Sequence, residues 1–155
     1  MKNVEQFLQR FINHRSVTLE LIDCIEDVAF KPWEGAMSAG LLMLHTIGAS
    51  DFFANIAITG TIKRPDLSSS PDVSNISVVR DFAHSLSGKT VDTLNSLSDD
   101  QFKTIIKTSN PIFGSNPTVA QILNFMLEHE IHHKGQLFLY ARMTNSPIPK
   151  NFIAH

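Results

Sequence analysis

Four long stretches of this chain place apolar residues three and four positions apart, the spacing of one face of a helix, and few folds accommodate four such segments in succession. In the first, Val4, Phe7, Leu8 and Phe11 continue into Val17, Leu21, Ile22 and Ile25. Pro32 stops that pattern, so helix one is expected over Asn3–Ala29. The second stretch carries Leu41, Leu44, His45, Gly48, Phe52 and Ile56 on one stripe, which turns His45 inward. The third runs through Val78, Phe82, Leu86, Val91, Leu94 and Leu97, weakened by Gly88, and the fourth, Thr118–Thr144, through Ile122, Met126, His129, His133, Leu137 and Tyr140. Between Thr59 and Asn75 come Gly60, two prolines and Ser68-Ser69-Ser70, a connection too long for a tight hairpin. From Asp99 to Pro117 the periodicity fails, which predicts a long loop with a short extended piece at Thr104–Lys107. The expected fold is all-α, a four-helix bundle with a long crossover connection, as one domain over residues 1–155.

A chain of 155 residues buries a sizeable core without disulfides or a structural metal. Cys24 is the only cysteine, which excludes an internal disulfide and a cysteine-based zinc ribbon and fits a reducing cytoplasm. Any metal here therefore serves chemistry. Formal net charge is −2 and lysines and arginines form no run, so neither nucleic acid nor an anionic membrane is an expected partner; a small molecule is. The apolar stretch Ala36–Ile62 is broken by His45, Asp51, Asn55 and three glycines, which makes it a poor bilayer span and a better bundle helix. The first residues, Met1 to Phe7, lack the apolar core of a signal peptide.

Chemistry concentrates in His129-Glu130-Ile131-His132-His133-Lys134-Gly135-Gln136. Residues at i and i+4 share a helix face, so His129 and His133 present two imidazoles one turn apart to a common cation, with His45 the best third ligand. A single inward histidine is ordinarily a hydrogen-bonded core residue, and that reading stays open for each of the three. Burying several unsatisfied imidazoles costs roughly 1–3 kcal/mol each, however, and one metal ion satisfies them together. His132 flanks the seam, His14 and His84 are expected to face solvent, and His155 is terminal. Gly135 costs roughly 1 kcal/mol in a helix interior, an expense that a close neighbouring helix or a ligand would explain. The pattern His129-Glu130-x-x-His133 also matches the zinc-protease helix, in which the glutamate is a general base. The third ligand of that class is missing: after His133 the sequence offers only His155 and no acid, and Gln136 and Leu139 stand where the longer pattern has Gly and His. Glu130 points away from the seam.

The same segment, continued by Leu137 and Tyr140-Ala141-Arg142-Met143 and closed by Pro147-Ile148-Pro149, resembles the last helix of the DinB/YfiT-like proteins. The turn Trp33-Glu34-Gly35 before a helix carrying His45 is similar as well. Lys134 replaces the usual Arg, and Asn145-Ser146 stands where a Gly is common. The resemblance implies a four-helix bundle with a long crossover, a homodimer, and a divalent metal held by His45, His129 and His133. It implies less about the reaction, since relatives include thiol-dependent transferases, isomerases and hydrolases.

Three readings follow. The first is an enzyme in which zinc or nickel, with open coordination positions, activates a low-molecular-weight thiol for transfer or water for hydrolysis, the transferase ranking slightly ahead. The second is a non-enzymatic metal-binding bundle that pairs as a homodimer. The third is a bundle with three satisfied core histidines. Phe52, Phe53, Phe113 and Met126 are pocket walls in the first reading and plain core in the third. Three histidines do not select among zinc, nickel, iron and manganese.

Overall fold

Each helix starts at a side chain that accepts a hydrogen bond from the first turn. The computed structural model describes residues 3–62, 71–108, 113–114 and 116–149. Asn3 caps Val4–Cys24 (α1), Ser38 caps Ala39–Thr59 (α2) and Asn75 caps Ile76–Asn95 (α3). Ser98 and Thr118 form capping boxes with Gln101 and Gln121, opening Asp99–Lys103 (α4) and Val119–Met143 (α5). Gly60, in the left-handed region at φ 67°, ends α2.

Helix one ends five residues before the Ala29 expected from its apolar pattern. Ile25 turns extended, the Asp27 carboxylate accepts from the amides of Ala29 and Phe30, and Arg80 of α3 donates to the free carbonyls of Ile22, Asp23 and Ile25. Ile25 and Val28 are still buried, so the apolar spacing outruns the helix. The loop expected over Asp99–Pro117 contains α4, whose Ser98-x-x-Gln101 box was its unread signal. The extended piece at Thr104–Lys107 is real: Ile105 pairs with Thr118 in an isolated antiparallel bridge. His155, Ser68 to Ser70, Pro65 and Pro111 lie outside the described residues.

Among the described residues four long helices form the bundle. Both α1 and α2 pack on α3 and α5, so α1 and α2 sit diagonally across from each other. One apolar cluster joins the start of α1 (Val4, Phe7, Phe11), the end of α2 (Phe53, Ile56), the end of α3 (Leu94) and the start of α5 (Ile122, Leu123, Met126). The other joins the opposite ends: Leu21, Ile22, Leu42, Ile47, Val79, Ala83 and Leu137. So α1 and α5 run one way and α2 and α3 the other. Because α2 and α3 are parallel neighbours, Gly60 and Asn75 stand at opposite ends of the bundle, which agrees with the long crossover expected from sequence. By length and composition α2 is apolar enough to cross a membrane, and more than half of it is buried inside this bundle.

Between the two clusters lies a polar layer. Arg15, Thr18, Thr46, Ser50, Ser87, Thr90, Glu130 and Lys134 are all buried there. It sits at the level of the histidines and reaches all four long helices.

Candidate metal centre

His45 on α2 and His129 and His133 on α5 meet at this level. Their ring centroids are 5.1 Å (His45 and His129), 4.7 Å (His45 and His133) and 4.3 Å (His129 and His133) apart. One nitrogen from each lies within 4.8 Å of the others, so the three residues can hold one metal ion. The Nε2 atoms of His129 and His133 are 3.1 Å apart. Two nitrogens about 2.1 Å from a common ion stand about 3.0 Å apart at a right angle and about 3.4 Å apart at the tetrahedral angle. The donor set and its spacing thus fit a divalent cation.

Gln136 sets the protonation pattern. Its Oε1 accepts from His133 Nδ1 at 2.7 Å, which puts the proton on Nδ1 and leaves the Nε2 lone pair free. Facing it, His129 Nε2 then donates its proton, and His129 Nδ1 is buried with no hydrogen-bond partner among the described residues. Burial depresses all three pKa values. His129 falls to about 4, first by desolvation and then by its histidine neighbours; His45 and His133 move down for the same leading reason. All three rings are therefore neutral at pH 7, the form that binds metal.

The histidines lie at the edge of the helix interfaces. On α2 the buried face centres on Leu42, Thr46, Ser50, Phe53 and Ala57, whereas Leu41, placed on the inward stripe by spacing alone, is 46% exposed. His45 and His129 are half-buried as a result, and His132 is exposed with its ring 4.9 Å from that of His133. An added Cβ at Gly48, one turn beyond His45, would meet nothing within 4 Å, so the flank of the site is open. Gly135 has equally empty surroundings, so no close neighbouring helix among the described residues accounts for it.

Phe53 packs edge-on to His129 at 6.0 Å and against Phe113 and Phe125 at 5.8 and 5.4 Å. The Phe52 ring lies tilted against Phe53 at 5.3 Å, while Met126 is fully buried core. Phe125, which no periodicity singled out, also lines a cavity of about 240 Å³ with Phe113, Gln121, Asn124 and Glu128, one turn down α5 from His129. His14 corrects another expectation: it is half-buried, and its Nδ1 pairs with Lys134 Nζ. His84 is exposed as expected and pairs with Asp23. Asp51 accepts from Asn55 at the surface and from Thr90.

Glu130 does point away from the histidines, yet it is far from idle. It is fully buried and bound by Arg15, Thr18 and Ser50. Its four contacts match the roughly four lone-pair positions of a carboxylate, so no position is left to act as a general base. The signal available in sequence was Arg15 itself, a charged residue on the apolar stripe of helix one.

The model of the DinB family matches residues 1–144 of this chain. The chain belongs to the DinB family. It is 33% identical over 147 residues to the uncharacterized protein YjoA of Bacillus subtilis, covering 93% of each. The crystal structure of YjoA, described as DinB-like, superposes with a TM-score of 0.76 at 30% identity, over 93% of this chain and 95% of that one. A DinB-like protein from Bacillus cereus superposes with the same TM-score, 0.76, over 96% of this chain and 97% of that one, and at 19% identity the likeness is one of fold. The DinB assignment agrees with the resemblance carried by the last helix.

Proposed function

We propose that this DinB-family chain is a metal-dependent enzyme acting on a small molecule, with His45, His129 and His133 holding one divalent ion, zinc or nickel. The convergence of three neutral imidazoles within 4.8 Å carries this reading. A divalent ion held there would supply Lewis acidity, making a low-molecular-weight thiol or a water at its open positions acidic near neutral pH. Gln136 holds His133 in the tautomer that offers Nε2. Desolvation keeps the rings unprotonated. Phe53, Phe113 and Phe125 form an apolar wall beside His129 that seats the carbon part of the substrate and excludes water from it.

Thiol transfer ranks ahead of hydrolysis. In it the thiol loses its proton to solvent, its sulfur forms a bond to an electrophilic carbon, and the leaving group departs with its electron pair. Glu130 takes no proton in either reaction, which argues against the zinc-protease mechanism. A homodimer in the cytoplasm completes the proposal: Leu139 and Met143, one turn apart on α5, are 47% and 48% exposed and offer an apolar contact to a second copy, and Cys24 is free.

The test is metal content by mass spectrometry on untagged protein beside a His45→Ala, His129→Ala, His133→Ala variant, followed by thiol-transfer assays with several thiol donors. Near-stoichiometric metal in the native protein, lost in the variant, with turnover by the loaded form, is the expected result. Metal at background after reconstitution with zinc and nickel refutes the site. Stoichiometric metal with neither transfer nor hydrolysis supports the non-enzymatic metal-binding dimer instead.

A further inference from the structure

Glu130, on α5, lies between two of the proposed ligands in sequence, and its carboxylate is tied directly to α1 and α2 and, through Arg15, to α3. On α1, Arg15 donates from Nε to Oε1 at 2.9 Å and from Nη2 to Oε2 at 2.7 Å, and Thr18 donates to Oε1 at 2.9 Å. On α2, Ser50 donates to Oε2 at 3.1 Å. On α3, Ser87 receives the third Arg15 bond, from Nη1, at 2.8 Å. The Arg15 and Glu130 side chains are 3% and 0% exposed.

Such a node is a poor source of stability, because withdrawing two charges from water offsets much of their attraction; its better attested use is to specify one arrangement of the elements that carry it. Here the arrangement bears directly on the histidines. Consecutive helix residues point about 100° apart, so fixing Glu130 toward the bundle centre fixes His129, its neighbour, toward the α2 edge. His133 follows at one turn. Ser50 does the same for α2: it sits five residues, roughly 140° round, from His45. One carboxylate therefore sets the rotation of both helices that bear ligands. Apolar packing leaves the rotation of α2 weakly specified, because α2 is apolar on most of its circumference.

We infer that Glu130, clamped by Arg15 and joined to Ser50, is a positioning residue of the metal centre: it holds His45, His129 and His133 in register. This inference rests on the metal-site reading above. The test compares wild type, an Arg15→Met, Glu130→Leu double variant and Ser50→Ala. Three quantities are measured: zinc affinity by chelator competition, the visible spectrum of the cobalt-substituted protein, and the melting temperature of the metal-free protein. The double variant is expected to keep its melting temperature, to bind zinc at least about tenfold more weakly and to show a changed cobalt spectrum, the size of effect typical of groups that orient ligands. Ser50→Ala, which leaves the ion pair intact, is expected to bind about threefold more weakly with a smaller spectral change, and it carries the test alone if the double variant does not fold. Affinity and spectrum equal to wild type in a folded variant overturn the inference while leaving the metal site standing. Failure of wild type to bind zinc or cobalt refutes the metal-site reading first, and this inference with it.

Discussion

Gln136→Ala removes one hydrogen bond and tests the geometry of the site. In the native protein the Gln136 carbonyl oxygen accepts from His133 Nδ1 at 2.7 Å. Its loss has two consequences for a metal at Nε2. The ring no longer has a reason to keep its proton on Nδ1, and an even split between tautomers costs about a factor of two. The ring also regains freedom about its side-chain torsions, and it becomes a weaker donor to the metal without a partner polarising its N–H. Outer groups of this kind are typically worth 10–100-fold in metal affinity, about 1.4–2.7 kcal/mol. Gln136 is half-buried, so water replaces part of the lost bond and the lower end applies: about tenfold, or roughly 1.4 kcal/mol. Gln136→Glu acts in the opposite sense, because a carboxylate is a stronger acceptor and raises the basicity of the ring. The assay is competition with a chromophoric chelator at neutral pH for wild type and both variants, with thermal melts of the metal-free proteins as a control. Equal affinities across the three proteins, all folded, would refute the argument that Gln136 prepares His133 for a metal.

Acidification should weaken the metal-free protein. The folded pKa of His129 is lowered to about 4 from an ordinary 6.5, and His45 and His133 shift the same way, so an unfolded chain takes up protons that the folded one refuses. Stability from these groups is complete above pH 6.5 and is lost as pH falls toward 4; urea midpoints that stay constant across that interval would contradict the burial of the rings. Glu130→Ala leaves Arg15 buried without its partner and is expected to cost about 3–5 kcal/mol by chemical denaturation. Two glycines divide cleanly. Gly135→Ala should raise stability by roughly 1 kcal/mol, since its Cβ meets nothing; Gly40→Ala should lower it by about 1–3 kcal/mol, since its Cβ would lie 2.3 Å from the backbone oxygen of Val73.

Much of the fold was legible in sequence because the helical repeat is a local property. The four long segments, the long return between α2 and α3, the extended piece before α5 and the grouping of His129 with His133 all follow from spacing and from where proline and glycine interrupt it. What spacing could not mark was the point at which an apolar pattern stops being a helix. Ile25 and Val28 fit the repeat of α1 and are buried, yet they belong to a turn held by Asp27 and by Arg80, more than fifty residues away in sequence. The five-residue α4 was missed for the converse reason: it is too short to show a period, and only its capping box announces it.

The candidate site shows the same limit in angular form. Periodicity measures the angle between residues on one helix and says nothing about where the helix points. His45, Gly48 and Phe52 do share a stripe, but that stripe lies at the margin of the α2 interface, with Leu41 at its exposed end. On a helix that is apolar nearly all round, no residue reveals the true centre, and here it is a polar one, Ser50, reaching Glu130 from α5. The displacement has a chemical consequence. Histidines at the centre of the bundle would be sealed against any substrate, whereas at the margin they keep one flank open beside Gly48 and another against the Phe53 wall. The buried ion pair takes the centre in their place, so in the proposed reading Glu130, which looks most catalytic in the motif, holds the frame and the reactive positions fall to the histidines at its edge.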